Sequence, residues 1–383
     1  MSKIKVNSLE GVGASTPAIS IDNASGTCTA NITNNLSNRN IMINGAMEVA
    51  QRGTSDTGTG LKTVDRFSSQ GSGSQAITQS QDTDVPTGQG FSKSLKFDCT
   101  TANASPSAGH YLAITYRIEA QDLQQIANGT SNAKKLTLSF WVKSPKAGVH
   151  AVGLYKQDNT ARQNTKTYSV SVADTWEKKT ITYDGDTAGG GITDDNGLGI
   201  QIDWHLMAGS DFTSVDSTSW VNYSDSAWAY GHAVNVVDNT ANNFYITGVQ
   251  LEVGSVATDF EHRTFGQEFP LCQRYYQQYV NISAVGYVPD NSNKSYSHGF
   301  FFPVAMRAEP TLSISNTGSS NGQYITDGDT NRYVSSILSQ GAKTTHMSVS
   351  FNLSGDLANF RGAYLFSTGN TTYQTTYKIS AEI

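Results

Sequence analysis

Between residues 203 and 230 the chain places Asp203, Trp204, His205, Trp220, Asn222, Tyr223, Asp225, Trp228 and Tyr230 in an otherwise polar stretch. Flat aromatic rings stack on the apolar C–H faces of sugars, while amides and carboxylates bond sugar hydroxyls. A segment that mixes both kinds has the composition of a saccharide contact. Trp220, Asn222, Tyr223, Trp228 and Tyr230 are therefore the candidate glycan-binding residues. Trp204 follows the alternating run Leu198, Ile200, Ile202 and belongs by parity inside a sheet, and Trp141 and Trp176 read as strand packing residues. Large aromatics with polar tips also suit contacts between subunits, so the same rings have a second use.

Other residues offer less chemistry. Gly318–Ser319–Ser320–Asn321–Gly322 matches G-x-S-x-G, but a nucleophile elbow needs a strand before it and a helix after it. The preceding LSISNT suits a strand, whereas the following Gln323–Tyr324–Ile325 and DGDT start no helix, so the motif reads as a polar hairpin tip. The seven histidines contain no HExxH pair and none stands near a cysteine at ligand spacing. Asp184–Gly185–Asp186, Asp194–Asp195–Asn196–Gly197 and Asp327–Gly328–Asp329 are turn sequences without the terminal glutamate of a calcium loop. Sugar-bond cleavage needs two carboxylates held ~5–10 Å apart, a separation that turn aspartates do not specify. No repeat of 20–50 residues marks a β-helical spike. No catalytic residue, metal ligand or cofactor is assigned.

The elements that must position the aromatic stretch follow from composition. The chain has 383 residues, 35 of them glycine and only 8 proline, and 15% are charged, below the ~25% of ordinary globular proteins. Asn-, Ser- and Thr-crowded windows such as NITNNLSNRN disfavour long helices and suit short strands joined by polar turns. Leu136, Leu138, Phe140 and Val142 alternate with Thr137, Ser139, Trp141 and Lys143, the period of a half-buried strand. Residues 149–155, 168–172, 180–183 and 244–253 repeat it, and one short helix fits Glu119–Ala127. The expected fold is all-β: a jelly-roll sandwich over 41–262, a short connector helix over 263–280, and a smaller C-terminal β-sandwich over 281–383. In the connector, Cys272, Tyr275, Tyr276 and Tyr279 follow i, i+3, i+4, i+7, with Pro270 assigned to the first helical turn. Tyr275, Tyr276 and Tyr279 are the candidate oligomer-interface residues, docking on a second copy or on their own chain.

Residues 1–40 have few large apolar groups. Ile4, Val6, Ile19 and Ile21 stand in two short alternating pieces that cannot bury a face by themselves, which points to an arm docking on another surface. The net charge of −6 argues against a nucleic-acid binder. No run approaches the ~18 apolar residues of a membrane span. The opening MSKIKVNSLE lacks a signal-peptide core, and Cys28, Cys99 and Cys272 form no disulfide framework, the pattern of a chain made in a reducing cytoplasm.

An ordered set of segments carries a resemblance: NRNIMINGAMEVAQRGT (38–54), VDRF (64–67), LTLSFWVKS (136–144), AGSDF (208–212), YITGVQLEVGSVATDFEHRTFGQE (245–268), CQRYYQ (272–277), FPVAMRAEPT (302–311) and the terminal ISAEI. Together they resemble tail-fibre and related minor structural proteins of tailed bacteriophages. NGAME (44–48), the central SFWVK and the late GVQLE also resemble jelly-roll carbohydrate-binding modules. Where those modules carry an acidic pair associated with structural calcium, this chain has Thr247–Gly248. The resemblance implies a virion location, a homotrimer, recognition of host-surface polysaccharide, and an N-terminal arm held by other tail proteins. A capsid-decorating or tail-accessory protein without a receptor role and a polysaccharide-degrading spike are the alternatives.

Overall fold

Alternation at period two builds almost every element. The computed structural model describes residues 38–280 without interruption, and beyond them 8–9, 19–21, 28–30, 284–287, 294–314, 323–326, 331–355, 362–367 and 376–383. At the N-terminus β1 (Ser8–Leu9), β2 (Ile19–Ile21) and β3 (Cys28–Ala30) form a small antiparallel sheet with β2 central. Ile19 and Ile21 are half-buried in it, while Ile4 and Val6 lie outside the described residues.

The next strands are β4 (Ser55–Thr57), β5 (Phe67–Ser72), β6 (Ala76–Asp82), β7 (Ser94–Thr101), β8 (Tyr111–Glu119), β9 (Leu136–Lys143), β10 (Gly148–Lys156), β11 (Arg162–Val170), β12 (Glu177–Tyr183), β13 (Leu198–Ala208), β14 (Val221–Asn222) and β15 (Asn243–Val253). They make a jelly-roll sandwich of two six-stranded antiparallel sheets, in the orders β14-β11-β10-β13-β8-β5 and β12-β9-β15-β7-β6-β4. The inward rows interleave into one core that includes Leu138, Phe140 and Val142 of β9, Ile200, Ile202 and Trp204 of β13, and Phe244, Ile246 and Leu251 of β15. Trp204 is fully buried, as its parity requires. Trp176 stands one residue ahead of β12, outside any strand, and its indole N–H donates to Asp84 at 2.9 Å. The helical turn expected at Glu119–Ala127 is a 3₁₀ segment, Ala120–Ile126, that buries Leu123 and Ile126.

The NGAME segment is fastened to β15, an interior strand of its sheet. Asn44, at φ +61°, donates through Nδ2 to the carbonyls of Val49 and Asp65 (both 2.9 Å) and accepts from the Val49 N–H at 2.9 Å. Gly45 accepts from the Val249 N–H, and a Cβ there would sit 2.0 Å from the Val249 carbonyl oxygen, so only glycine fits. Gly248, at φ +61°, lies where the β15–β9 register shifts between Thr247 and Gln250. Thr247–Gly248 thus forms a β-bulge.

The connector corrects the sequence reading. The helix α1 spans Phe265–Gln273, opened by a Thr264–Gln267 capping box, and Pro270 falls inside it, beyond the first turn. Tyr276–Val280 is not helical; it forms β16, paired with β24 (Thr376–Ser380). The i, i+3, i+4, i+7 spacing of the tyrosines is equally compatible with alternation. Tyr275, Gln277 and Tyr279 take one parity, and Tyr276 and Gln278 take the other. Tyrosine and valine favour the extended form once a partner strand is available. Tyr275 and Tyr276 are buried within their own protomer, 1% and 3% exposed, so neither presents a face to a second copy. Tyr279 is half-buried against the C-terminal core.

The C-terminal β region also departs from expectation. Instead of a small sandwich, β17 (Ala284–Tyr287), β18 (Lys294–Phe301), β22 (His346–Leu353), β21 (Asn331–Ala342), β20 (Gln323–Thr326) and β23 (Gly362–Ser367) close into a barrel. Beside it stands the sheet β16-β24-β19, with β19 at Thr311–Ile314. Strands this few would leave four exposed edges as two sheets, and closure removes them. The G-x-S-x-G motif and Asp327–Gly328–Asp329 lie outside the described residues.

Candidate functional site

The outer face of the β14-β11-β10-β13-β8-β5 sheet is polar where its inner face is apolar. On β13, Gln201, Asp203 and His205 alternate with the inward Ile200, Ile202 and Trp204, yet all three are buried. They are buried because residues 209–232 fold back over the sheet. Small side chains make room for this cover. Gly153 stands opposite Asp203 in register, and a Cβ there would lie 2.9 Å from Thr165 Oγ1 and 3.5 Å from the Trp228 carbonyl oxygen. Thr165 anchors the cover twice, its N–H donating to Ser217 at 2.8 Å and its hydroxyl to the Trp228 carbonyl at 3.0 Å.

Between cover and sheet a cleft of about 460 Å³ remains, lined by Gln70, Tyr111, Tyr155, Gln201, Phe212, Tyr223, Asp225 and Trp228. Its aromatics form two groups. Tyr155 and Tyr223 pack edge to face at 5.0 Å. Tyr111, Phe212 and Trp228 touch mutually, with centroids 5.1–5.6 Å apart. Such edge-to-face contacts fix the planes of the rings.

Behind the floor, Asp203 is fully buried and surrounded by donors. Its carboxylate accepts from Gln201 Nε2 (2.9 and 3.1 Å), Gln70 Nε2 (3.1 Å), Thr115 Oγ1 (2.8 Å) and Trp228 Nε1 (3.0 Å). Burial pushes this carboxyl above the ordinary carboxylate range, and the bonds from Gln201, Trp228 and Thr115 pull it the other way. At the rim, Tyr223 donates its hydroxyl to Asp225 Oδ1 at 2.6 Å. That bond, after burial, raises the Tyr223 hydroxyl.

The five residues named from sequence separate. Tyr223 and Trp228 line the cleft; Tyr223 is 42% exposed, whereas Trp228 shows only an edge. Trp220 leans on the sandwich core and donates its indole N–H to the Asp184 carbonyl at 2.7 Å. Asn222, on β14, accepts from Arg162 Nη1 at 3.1 Å. Neither these two nor Tyr230 is among the lining residues. Gln70, Tyr111, Tyr155, Gln201 and Phe212 went unnamed because four of them sit outside the aromatic-rich stretch. Strand parity was the available signal, since each strand residue among them takes the parity opposite to its core neighbours. Among the described residues, no group of three His, Cys, Asp or Glu side chains is placed to hold a metal ion, and no helix is long and apolar enough to cross a membrane.

No protein-family model matches the chain, and no curated protein matches it. Solved structures similar to it include the enzymatically active domain of tailspike protein 4 from bacteriophage CBA120, at 13% identity and TM-score 0.30 over 56% of this chain. The chain covers 21% of that tailspike chain. The family 11 carbohydrate-binding module of a cellulosomal cellulase of Clostridium thermocellum is similar at 12% identity and TM-score 0.27, over 55% of this chain and 98% of the module. The C-terminal family 22 carbohydrate-binding module of Clostridium thermocellum Xyn10B is similar at 13% and 0.28, over 54% and 98%.

Proposed function

We propose that this chain is a non-catalytic virion protein of a tailed phage that recognises cell-surface polysaccharide through the sheet-face cleft. The observation that carries the carbohydrate reading is the cleft's lining: the aromatic rings of Tyr155, Tyr223 and Tyr111 beside hydrogen-bonding groups of Gln70 and Asp225. The virion setting rests on the ordered segments that resemble tail-fibre proteins. In this reading residues 1–40 are the attachment arm, with Ile4, Val6, Ile19 and Ile21 docking on another tail protein. Residues 41–262 carry recognition, 263–280 connect, and 281–383 form the C-terminal domain. Three copies in a homotrimer multiply weak contacts, and linked sites exceed single-site affinity by ~10²–10⁴.

The test is binding of the purified chain to host cells and extracted surface polysaccharide, with its mass measured by light scattering. Alanine at Tyr155 or Tyr223 is expected to weaken single-site affinity about tenfold, ~1.4 kcal/mol, while far-UV circular dichroism stays unchanged. Wild-type binding that survives both substitutions removes the cleft from the reading, and a monomeric mass removes the trimer.

A further inference from the structure

Building on that reading of the cleft, we infer that it selects saccharides without acidic groups, because Asp203 draws most of the lining's donors inward and the one charge left facing the ligand is Asp225. The Gln201 amide is spent at both ends: Nε2 donates to both Asp203 oxygens, and Oε1 accepts from Arg117 Nε at 2.8 Å. The Trp228 indole N–H also points to Asp203, and Gln70 commits its Nε2 there. What remains open among the described residues is Gln70 Oε1, the second Gln70 N–H and Asp225 Oδ2, two acceptors to one donor, together with tyrosine hydroxyls that can act either way.

The lining contains one charged residue, Asp225, and no lysine or arginine. Two arginines stand beside it in register, Arg117 opposite Gln201 and Arg162 opposite Asn222, and neither lines the cleft. Arg117 Nη1 donates to the Ile383 carbonyl oxygen at 2.6 Å. Arg162 bonds Asp186, Asn222 and the Trp220 carbonyl. A carboxylate, phosphate or sulfate in the cleft would therefore meet the like charge of Asp225 and no lining cation. A hydroxyl or ammonium donor finds partners at Gln70 and Asp225.

The experiment measures binding of the full chain to immobilised matched pairs: galacto- against galacturono-oligosaccharides, gluco- against glucurono-oligosaccharides, and lactose-terminated against sialylated chains. Each pair is run at 20 mM and 500 mM salt, with Tyr223→Ala reporting whether bound sugar occupies the cleft. The neutral member of a pair is expected to bind at least tenfold tighter at low salt. High salt and Asp225→Asn are each expected to narrow that gap several-fold, because the repulsion at the rim is screened or removed. An acidic member that binds equally or more tightly in a Tyr223-dependent manner overturns the inference and leaves the carbohydrate reading standing. A gap that neither salt nor Asp225→Asn narrows overturns the electrostatic origin and with it the inference. Failure of every saccharide to bind overturns the carbohydrate reading itself.

Discussion

At the scale of single residues, buried titratable groups set how the sheet that floors the cleft responds to acid. His150, His205 and His232 lie close together, with ring centroids 5.8 Å apart for His150–His232 and 6.1 Å for His205–His232, and His205 meets the Trp228 ring edge to face at 4.5 Å. Burial holds all three imidazoles below their usual range, His205 down to about 3. The unfolded chain takes up these protons near 6.5, whereas the folded chain refuses them. The His205 contribution is therefore complete above pH 6.5 and is lost as the pH falls toward 3, at about 1.4 kcal/mol per pH unit, and His150 and His232 act in the same direction. Asp65 works in the opposite direction. Burial raises it to about 6 despite Arg52, so its contribution is present below 3.8 and fades as the pH rises to about 6. Urea midpoints between pH 7 and 4.5 are expected to fall for the wild type and to fall less for His205→Gln. Parallel slopes for the two proteins would remove His205 from this account.

At the scale of elements, the β15 bulge is the point where one backbone conformation aligns several strands. At Gly248 a Cβ would come within 2.5 Å of Phe91 Cζ and 3.0 Å of Trp141 Cδ1, at a φ of +61°. Gly248→Ala is expected to destabilise the sandwich by about 2 kcal/mol or more, read as a lower thermal midpoint. Unaltered melting would mean that the bulge relaxes without cost. The strands themselves were legible wherever one parity is apolar throughout: β9, β10, β12 and β15 fall within a few residues of the boundaries expected from alternation. The tyrosines of Tyr275–Tyr279 were not, because a spacing of 3, 4 and 7 is shared by a helical stripe and by neighbouring strand residues facing opposite sides. Only the distant partner β24 decides between them. The cleft was half legible for the same reason. Tyr223 and Trp228 belong to a local aromatic cluster, whereas Tyr155, Gln201 and Gln70 meet only through the cross-strand order β10-β13-β8-β5.

At the scale of the whole molecule, a buried network of arginines and carboxylates joins the sandwich to the C-terminal strands. Glu382 pairs with Arg52 at 2.9 Å and with Arg66, while Glu119 receives Arg274 (2.8 Å) and the Tyr275 hydroxyl. The Arg66 guanidinium also lies 3.4 Å over the Tyr275 ring. Removing Glu382 leaves Arg66, 4% exposed, without its carboxylate. Glu382→Ala is therefore expected to cost about 3–5 kcal/mol and to split a single calorimetric transition into two. One unshifted transition would show that the two parts are held by other means.

The sheet β16-β24-β19 has its latest-made strand in the middle. On the ribosome, Tyr276–Val280 and Thr311–Ile314 emerge well before Thr376–Ser380, so both wait with their pairing edges open to water while translation proceeds at ~5–20 residues per second. The nascent chain can finish its sandwich early, but it carries two sticky edges until the missing middle strand arrives. That sheet can therefore close only after the rest of its strands have been made, as one of the last steps of assembly.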